Sequence, residues 1–337
     1  MRVMFGFLLV LASACGFEAE PSNVSEVTAA KTVLTVYSGR GESLVGELFE
    51  QIPEDAPFEV EVQYGKTSEM VTRLLTEGAQ SPADIIFAQD SGHLGVLADR
   101  GVLAILPRGI TDQVSAQFRD PQGRWVGTSG RLRVLVYDSA KLSPAQLPQS
   151  LEELALPKWK GKLGWAPNNG SLHAHVSALR HAWGDDKTRD WLSAVEANQP
   201  TRYPKNSPQV AAANDGAIEL GWVNHYYLHR LEKEGRKAQN WSFPTPGDPG
   251  NMLMVSGVGI RQGSNKAKAA EAFVAWLVSE PVQDYFAQKG FEYPTRPGVS
   301  THPDVPPVTA DQLANVDQTH LADLGPTRTM LTELGLL

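Results

Sequence analysis

The sequence predicts an α/β protein of two mixed α/β lobes with a hinge between them, and three observations predict it. From Thr32 onward, short apolar strands alternate with helical patterns. A second strand–loop–helix series begins at Lys162. Two longer apolar runs, Gly127–Asp138 and Leu253–Ile260, read as strands that cross from one series to the other and back. At 337 residues the chain is long enough for two lobes, each with its own core. Lobes joined by more than one strand form a clamshell that closes on a ligand by hinge motion.

The first residues stand apart. Met1–Ala14 holds one Arg and an apolar run from Val3 to Ala12, followed by Ser13-Ala14-Cys15, and reads as an export signal. Cys15, the only cysteine, falls where small residues end the apolar run, the place of the lipidated cysteine in bacterial lipoprotein signals. Residues 1–15 are therefore expected to be a lipoprotein-type signal peptide, with plain secretion as the alternative. Either way the mature protein works in the periplasm or at the cell surface. With Cys15 in the anchor, no disulfide forms within the chain. Residues 16–31 are polar, rich in small residues and without apolar periodicity, which predicts a flexible tether.

Strands are then expected at Val33–Tyr37, Phe58–Val62 and Asp84–Ala88, with helices at Glu42–Gln51 and Ser68–Leu75 between them. That β-α-β-α-β order predicts a mainly parallel sheet, whose ligands bind beyond the carboxyl ends of the strands. The loops to watch are Ser38–Glu42, Tyr64–Thr67 and Gln89–Gly92. The second series has a strand at Lys162–Trp165, the loop Pro167–Ser171, helices at Leu172–Trp183 and Asp185–Glu196, and a strand over Ala217–Val223. A strongly amphipathic helix is expected at Lys266–Leu277, and short helices within Asp311–Leu337. Lobe 1 is then 32–129 plus about 256–306, and lobe 2 is 130–255 plus about 307–337.

Composition removes several functions. The net charge is -8, from 30 Lys+Arg against 38 Asp+Glu, which leaves no basic stripe for nucleic acid and argues against tight binding to anionic lipid. No Gly-x-Gly-x-x-Gly follows the first strand, and there is no complete Gly-x-x-x-x-Gly-Lys-Ser/Thr phosphate loop, no Gly-x-Ser-x-Gly elbow and no His-Glu-x-x-His.

What remains is a tyrosine doublet. Tyr226 and Tyr227 follow an apolar strand, and Asn224 is placed to cap a helix running through Tyr-Tyr-Leu-His-Arg-Leu. Neighbouring helical residues point about 100° apart, so both rings cannot enter one core face, yet both can reach an object above the first turn. A phenol, with a pKa of about 10, is a poor ligand until a highly charged cation displaces its proton. Two phenolates suit a hard ion, ferric iron rather than copper(I) or structural zinc. The plain alternative is one core tyrosine beside one rim tyrosine.

Several blocks occur in a specific order from Thr32 to about Pro297: Leu34–Arg40, Ser81–Ile85, Ser129-Gly130-Arg131 leading to Val136-Tyr137-Asp138, Pro157–Gly161, Lys205-Asn206-Ser207 and Asn224–Tyr227. The ordered set resembles the periplasmic ferric-ion-binding proteins of bacterial ABC importers, within the type 2 periplasmic binding protein fold. The resemblance implies that Tyr226 and Tyr227 are ferric ligands and that a synergistic anion, carbonate or phosphate, completes the coordination. It places Asn168, Asn169, Gly170 and Ser171 in the anion-cradling loop, where a helix start offers N–H groups and a favourable dipole. Arg131 is the guanidinium that faces anion or phenolate. It further implies an ABC permease and its ATPase as partners, a monomeric receptor and no catalysed reaction.

The departures are as informative. In one branch of that family a His and a Glu from the first lobe bind iron; the corresponding places hold Gly41 and Gln89. Asp90 and His173 are the substitute candidates, Asp90 also reading as a helix cap and His173, like His175, as an ordinary histidine. Arg40 is a cleft candidate with Gln89, although Arg40 and Arg133 read equally as surface ion pairs. Two rivals stand beside the ferric receptor. One is a same-fold receptor for thiamine, a polyamine or a phosphonate. The other is an exported hydrolase with His173, His175 and Asp90 on a metal.

Overall fold

The computed structural model describes residues 30–231, 234–317, 321 and 324–337. The expected signal peptide with Cys15 and the tether up to residue 29 lie outside the described residues. Folding begins at β1 (Thr32–Ser38), with β2 (Phe58–Tyr64) and β3 (Ile85–Ala88) on either side of it and both parallel to it. Val36 stands opposite Val62 on one side and Ile85 on the other. Helices Glu42–Phe49 and Thr67–Glu77 make the two crossovers, which is the arrangement parallel neighbours require.

Two long strands then carry the chain across the molecule. β4 (Val126–Asp138) is buried along its whole length. Its first half, to Leu132, pairs antiparallel with β9 (Leu253–Ile260), and its second half, from Arg133, pairs with β7 (Leu220–Asn224) on one edge and β8 (Ala238–Trp241) on the other. β9 in turn runs antiparallel to β3. β5 (Leu163–Trp165) lies parallel to β7 and to β6 (Thr201–Arg202). The resulting order is β2-β1-β3-β9-β4-β7-β5-β6, with β8 off this path on β4. Backbone packing where β9 meets β4 is close enough to demand glycine: a Cβ on Gly257 would stand 2.7 Å from the Val126 carbonyl oxygen.

Hydrophobic cores form at both ends of this path. One gathers Val36, Phe58, Ile85 and Phe87 against Phe273 of helix Ala267–Leu277, with Phe58 and Phe273 edge to face at 5.5 Å and 88°. The other gathers Trp165, Leu192 and Trp222, with Trp191 and Trp222 edge to face at 5.6 Å and 83°.

Three local expectations need correction. The tyrosines do not sit on an α-helix: His225–Arg230 is a six-residue 3-10 turn, and Asn224 makes no side-chain cap. Strands β6 and β8 were not anticipated, because Thr201-Arg202 is too short and Ala238–Trp241 is too polar to show a period of two. Among the described residues, 311–337 contain one α-helix, Leu324–Glu333.

Candidate functional site

β7 delivers the chain to the tyrosines, and the Asn224 side chain explains why no ordinary helix follows. Its amide donates to the Ser171 hydroxyl at 3.2 Å and its Oδ1 accepts from Arg133 at 2.9 Å, so it is unavailable as a cap. In the tight turn the Tyr226 and Tyr227 rings stack, with centroids 4.3 Å apart and planes at 28°. The Arg230 guanidinium stands 4.9 Å from each ring centre. Tyr226 is buried and Tyr227 half-buried. Burial, reinforced by its neighbour Tyr227, pushes the Tyr226 phenol well above its ordinary range, although the nearby Arg131 charge pulls it down. The Tyr226 oxygen is thus held as a phenol until a cation displaces its proton.

Two arginines two residues apart on β4 approach this pair. The Arg131 guanidinium donates to the Gln89 carbonyl oxygen. Arg133 donates to Asn224 Oδ1 and, at 3.1 Å, to the Trp222 carbonyl oxygen, and it lies 5.1 Å from the Trp222 ring. Both are buried, and among the described residues neither pairs with a carboxylate at ion-pair distance. Burial pulls Arg133 down to about 9, and Tyr227 and Tyr226 are the acidic groups that oppose this. Among the described residues the Nε atoms of both arginines have no hydrogen-bond partner, while the Glu292 and Asp90 carboxylates act on Arg131 from beyond ion-pair distance.

Two cavities adjoin this region. One of about 340 Å³ is lined by Gln89, Asp90, Arg131, Asn169, Gly170 and Ser171, so the start of helix Gly170–Trp183 opens onto it. The other, of about 430 Å³, is lined by Tyr226, Arg230, Arg40, Lys289 and Glu292 among others. Asn169 caps the helix by accepting from the Ser171 N–H at 2.9 Å. Asn168 is exposed and lines neither cavity.

The other expected residues sort clearly. Arg40 and Arg133 are not surface ion pairs. Arg40 is 1% exposed and grips Glu292 with both Nη atoms, at 2.8 and 3.0 Å, while donating to the hydroxyls of Ser129 and Ser256. The Gln89 backbone is engaged by Arg131, Ser256 and Thr67, whereas its buried Oε1 has no partner. Asp90 caps helix Ser91–Asp99 and holds the His93 ring at 2.7 Å. His173 lines neither cavity; its Nε2 is bonded to the Pro167 carbonyl oxygen at 2.7 Å. His175 is a core residue, with Nε2 bonded to the Pro249 carbonyl oxygen and the ring against Trp222; burial pulls it down to about 3. Among the described residues no three His, Cys, Asp or Glu side chains converge to hold a metal. Asn224 and Arg133 were not singled out for the site. A polar run inside an apolar strand was the available signal for Asn224 and Arg133.

The Asp90–His93 pair gives a pH expectation. Burial opposes the Asp90 charge, but the His93 ring and N–H outweigh it and hold the carboxyl below its usual range; burial likewise opposes the His93 charge, and Asp90 outweighs it and raises the imidazole. The Asp90 contribution to stability is present above about pH 3.9 and fades as pH falls through its depressed folded value. The His93 contribution is complete below about pH 6.5 and fades as pH rises through its raised folded value. An Asp90→Asn variant titrated by NMR is expected to show the His93 pKa falling; an unchanged value contradicts the pairing.

Comparison with known proteins places the chain in a family. Residues 80–316 match the family described as bacterial extracellular solute-binding protein. The chain belongs to the bacterial extracellular solute-binding proteins, and its fold is the two-lobed α/β fold with a hinge. Over 317 residues, 93% of each chain, it is 32% identical to the "Fe(3+)-binding periplasmic protein" of Serratia marcescens. It is 30% identical over 335 residues to "Iron uptake protein A1" of Synechocystis, spanning 96% of this chain and 91% of that one. Iron-bound HitA from Pseudomonas aeruginosa superposes with a TM-score of 0.81 at 27% identity, covering 90% of this chain and all of the other.

Proposed function

We propose that this protein is an extracytoplasmic receptor that captures ferric iron, together with an oxyanion, between its two lobes and hands it to an ABC permease energised by its ATPase. The observation that carries the reading is the stacked Tyr226–Tyr227 pair beside the two buried guanidinium groups of Arg131 and Arg133. The similarity to Fe(3+)-binding and iron-uptake proteins supports it. Tyr226 and Tyr227 lose their protons to the incoming ion and bind it as phenolates. Arg131, Arg133 and the N-terminus of helix Gly170–Trp183 receive the anion, and Ser171 is oriented for it by Asn224. Carbonate and phosphate both suit these donors. The lobe boundaries proposed are 32–129 with about 256–306, and 130–255 with about 307–337. Lipidation at Cys15 and action as a monomer belong to the same reading, which assigns no bond-making chemistry to the site.

Proton release fixes the direction of pH dependence. Each phenol must be deprotonated by the metal, so affinity falls as pH falls, by up to about a hundredfold per pH unit for two protons. The anion gives a separate expectation. Arg131→Gln removes a buried positive charge beside Tyr226 and the cavity of about 340 Å³. Iron titrations in bicarbonate or phosphate should show affinity reduced about 10–100-fold, the usual cost of losing a partner that orients metal ligands, with less dependence on added anion. Unchanged anion dependence contradicts the assignment.

A further inference from the structure

We propose that His225 is a positioning residue that ties the tyrosine pair to β4 where it crosses between the lobes and to the lobe 1 segment laced to that crossing, so that the iron ligands move as one body with the hinge. The inference rests on the reading of Tyr226 and Tyr227 as ferric ligands.

The imidazole is 2% exposed and both of its nitrogens are engaged. Nδ1 accepts the Leu132 N–H at 3.1 Å, and Nε2 donates to the Phe291 carbonyl oxygen at 2.6 Å. One accepting and one donating nitrogen define a single neutral tautomer, and neither is left to bind a metal. Its two partners are unusual places in the backbone. Leu132 is where β4 leaves its pairing with β9, and Arg133 is where pairing with β7 begins. Phe291 has φ +53, a left-handed conformation that a bulky residue holds only when its surroundings impose it.

Those surroundings can be named. The Phe291 ring stacks on His229 at 4.5 Å and 2° and meets His302 at 4.4 Å. Tyr293 pairs in both directions with Gly130, at 2.7 and 2.8 Å. Segments 130–132 and 291–293 are thus laced together, and His225 bonds to both. Its ring also packs on Tyr293 at 4.8 Å and edge to face with Tyr226 at 6.0 Å and 84°. The residue immediately before the ligands is therefore fastened to the β4 crossing and to the lobe 1 segment laced to it, so the position of Tyr226 is set by the hinge as well as by β7.

Two substitutions separate this role from a purely structural one, because each keeps one of the two bonds. In His225→Asn the short amide reaches the Nδ1 position and keeps an acceptor for Leu132, but the bond to Phe291 is lost. In His225→Gln the longer amide keeps a donor for Phe291. Capture and release of iron are followed by stopped flow on the ferric–tyrosinate absorption, with apo stability measured in parallel. Release from His225→Asn is expected to be about tenfold faster, the worth of one buried hydrogen bond, with capture unchanged. His225→Gln restores slow release at a similar loss of apo stability. Equal release rates from the two variants overturn the inference while leaving the ferric reading in place. A wild-type protein without the absorption overturns both.

Discussion

Replacing Tyr226 or Tyr227 by phenylalanine is expected to lower ferric affinity by more than about 100-fold, since loss of a partner that merely supports a metal ligand already costs about 10–100-fold. Both substitutions leave the stacked rings, and so the packing, in place. Because neither substitution removes ring volume, the apo protein should melt within a few degrees of wild type. The check is competition against a ferric chelator with near-ultraviolet circular dichroism on the same samples. Retained affinity in both variants would remove the tyrosines from the site.

The second large effect concerns stability rather than binding. Arg40 and Glu292 are 1% and 2% exposed and meet through two Nη–carboxylate bonds. Burial disfavours the Glu292 charge, but Arg40 more than offsets this and holds the carboxyl below its usual range. Removing one partner strands the other, so Arg40→Met or Glu292→Leu alone should each cost about 3–5 kcal/mol in denaturant unfolding, whereas the double variant should lose much less than the sum. The Glu292 contribution is present above about pH 4.3 and lost as pH falls through its depressed folded value. Additive losses would show that the pair is not a unit. The pair joins the first-strand loop to the segment after helix Glu280–Gln288, so iron affinity measured on surviving protein also reports on the crossing region.

The fold was legible because its strands are apolar enough to show their period. β1, β3 and β9 lie within a residue of the expected limits, and the parallel first unit follows from the helices between them. The tyrosine pair was legible because two adjacent phenols after a buried strand are uncommon. The 3-10 turn was not. It depends on Asn224 being drawn to Ser171 and Arg133, partners 53 and 91 residues away that local capping rules ignore. Arg40 and Arg133 looked like surface charges for a similar reason: a buried arginine differs from an exposed one only through partners distant in sequence. His173 and His175 were candidates for a metal pair, but two residues apart they point about 200° apart around the helix, and the carbonyls of Pro167 and Pro249 claim them separately. Asn169, Gly170 and Ser171 of the expected loop line a cavity with Arg131, while Asn168 is exposed.

Metal-stripped protein beginning near Thr32, titrated with a ferric chelate in bicarbonate buffer while the visible spectrum is recorded, tests the central claim most directly. A broad charge-transfer band that grows to one iron per protein, and is lost in Tyr226→Phe or Tyr227→Phe, is the result expected of tyrosinate coordination. Saturation without any such band would contradict the ferric–tyrosinate site and leave the stacked tyrosines as a platform for an organic ligand.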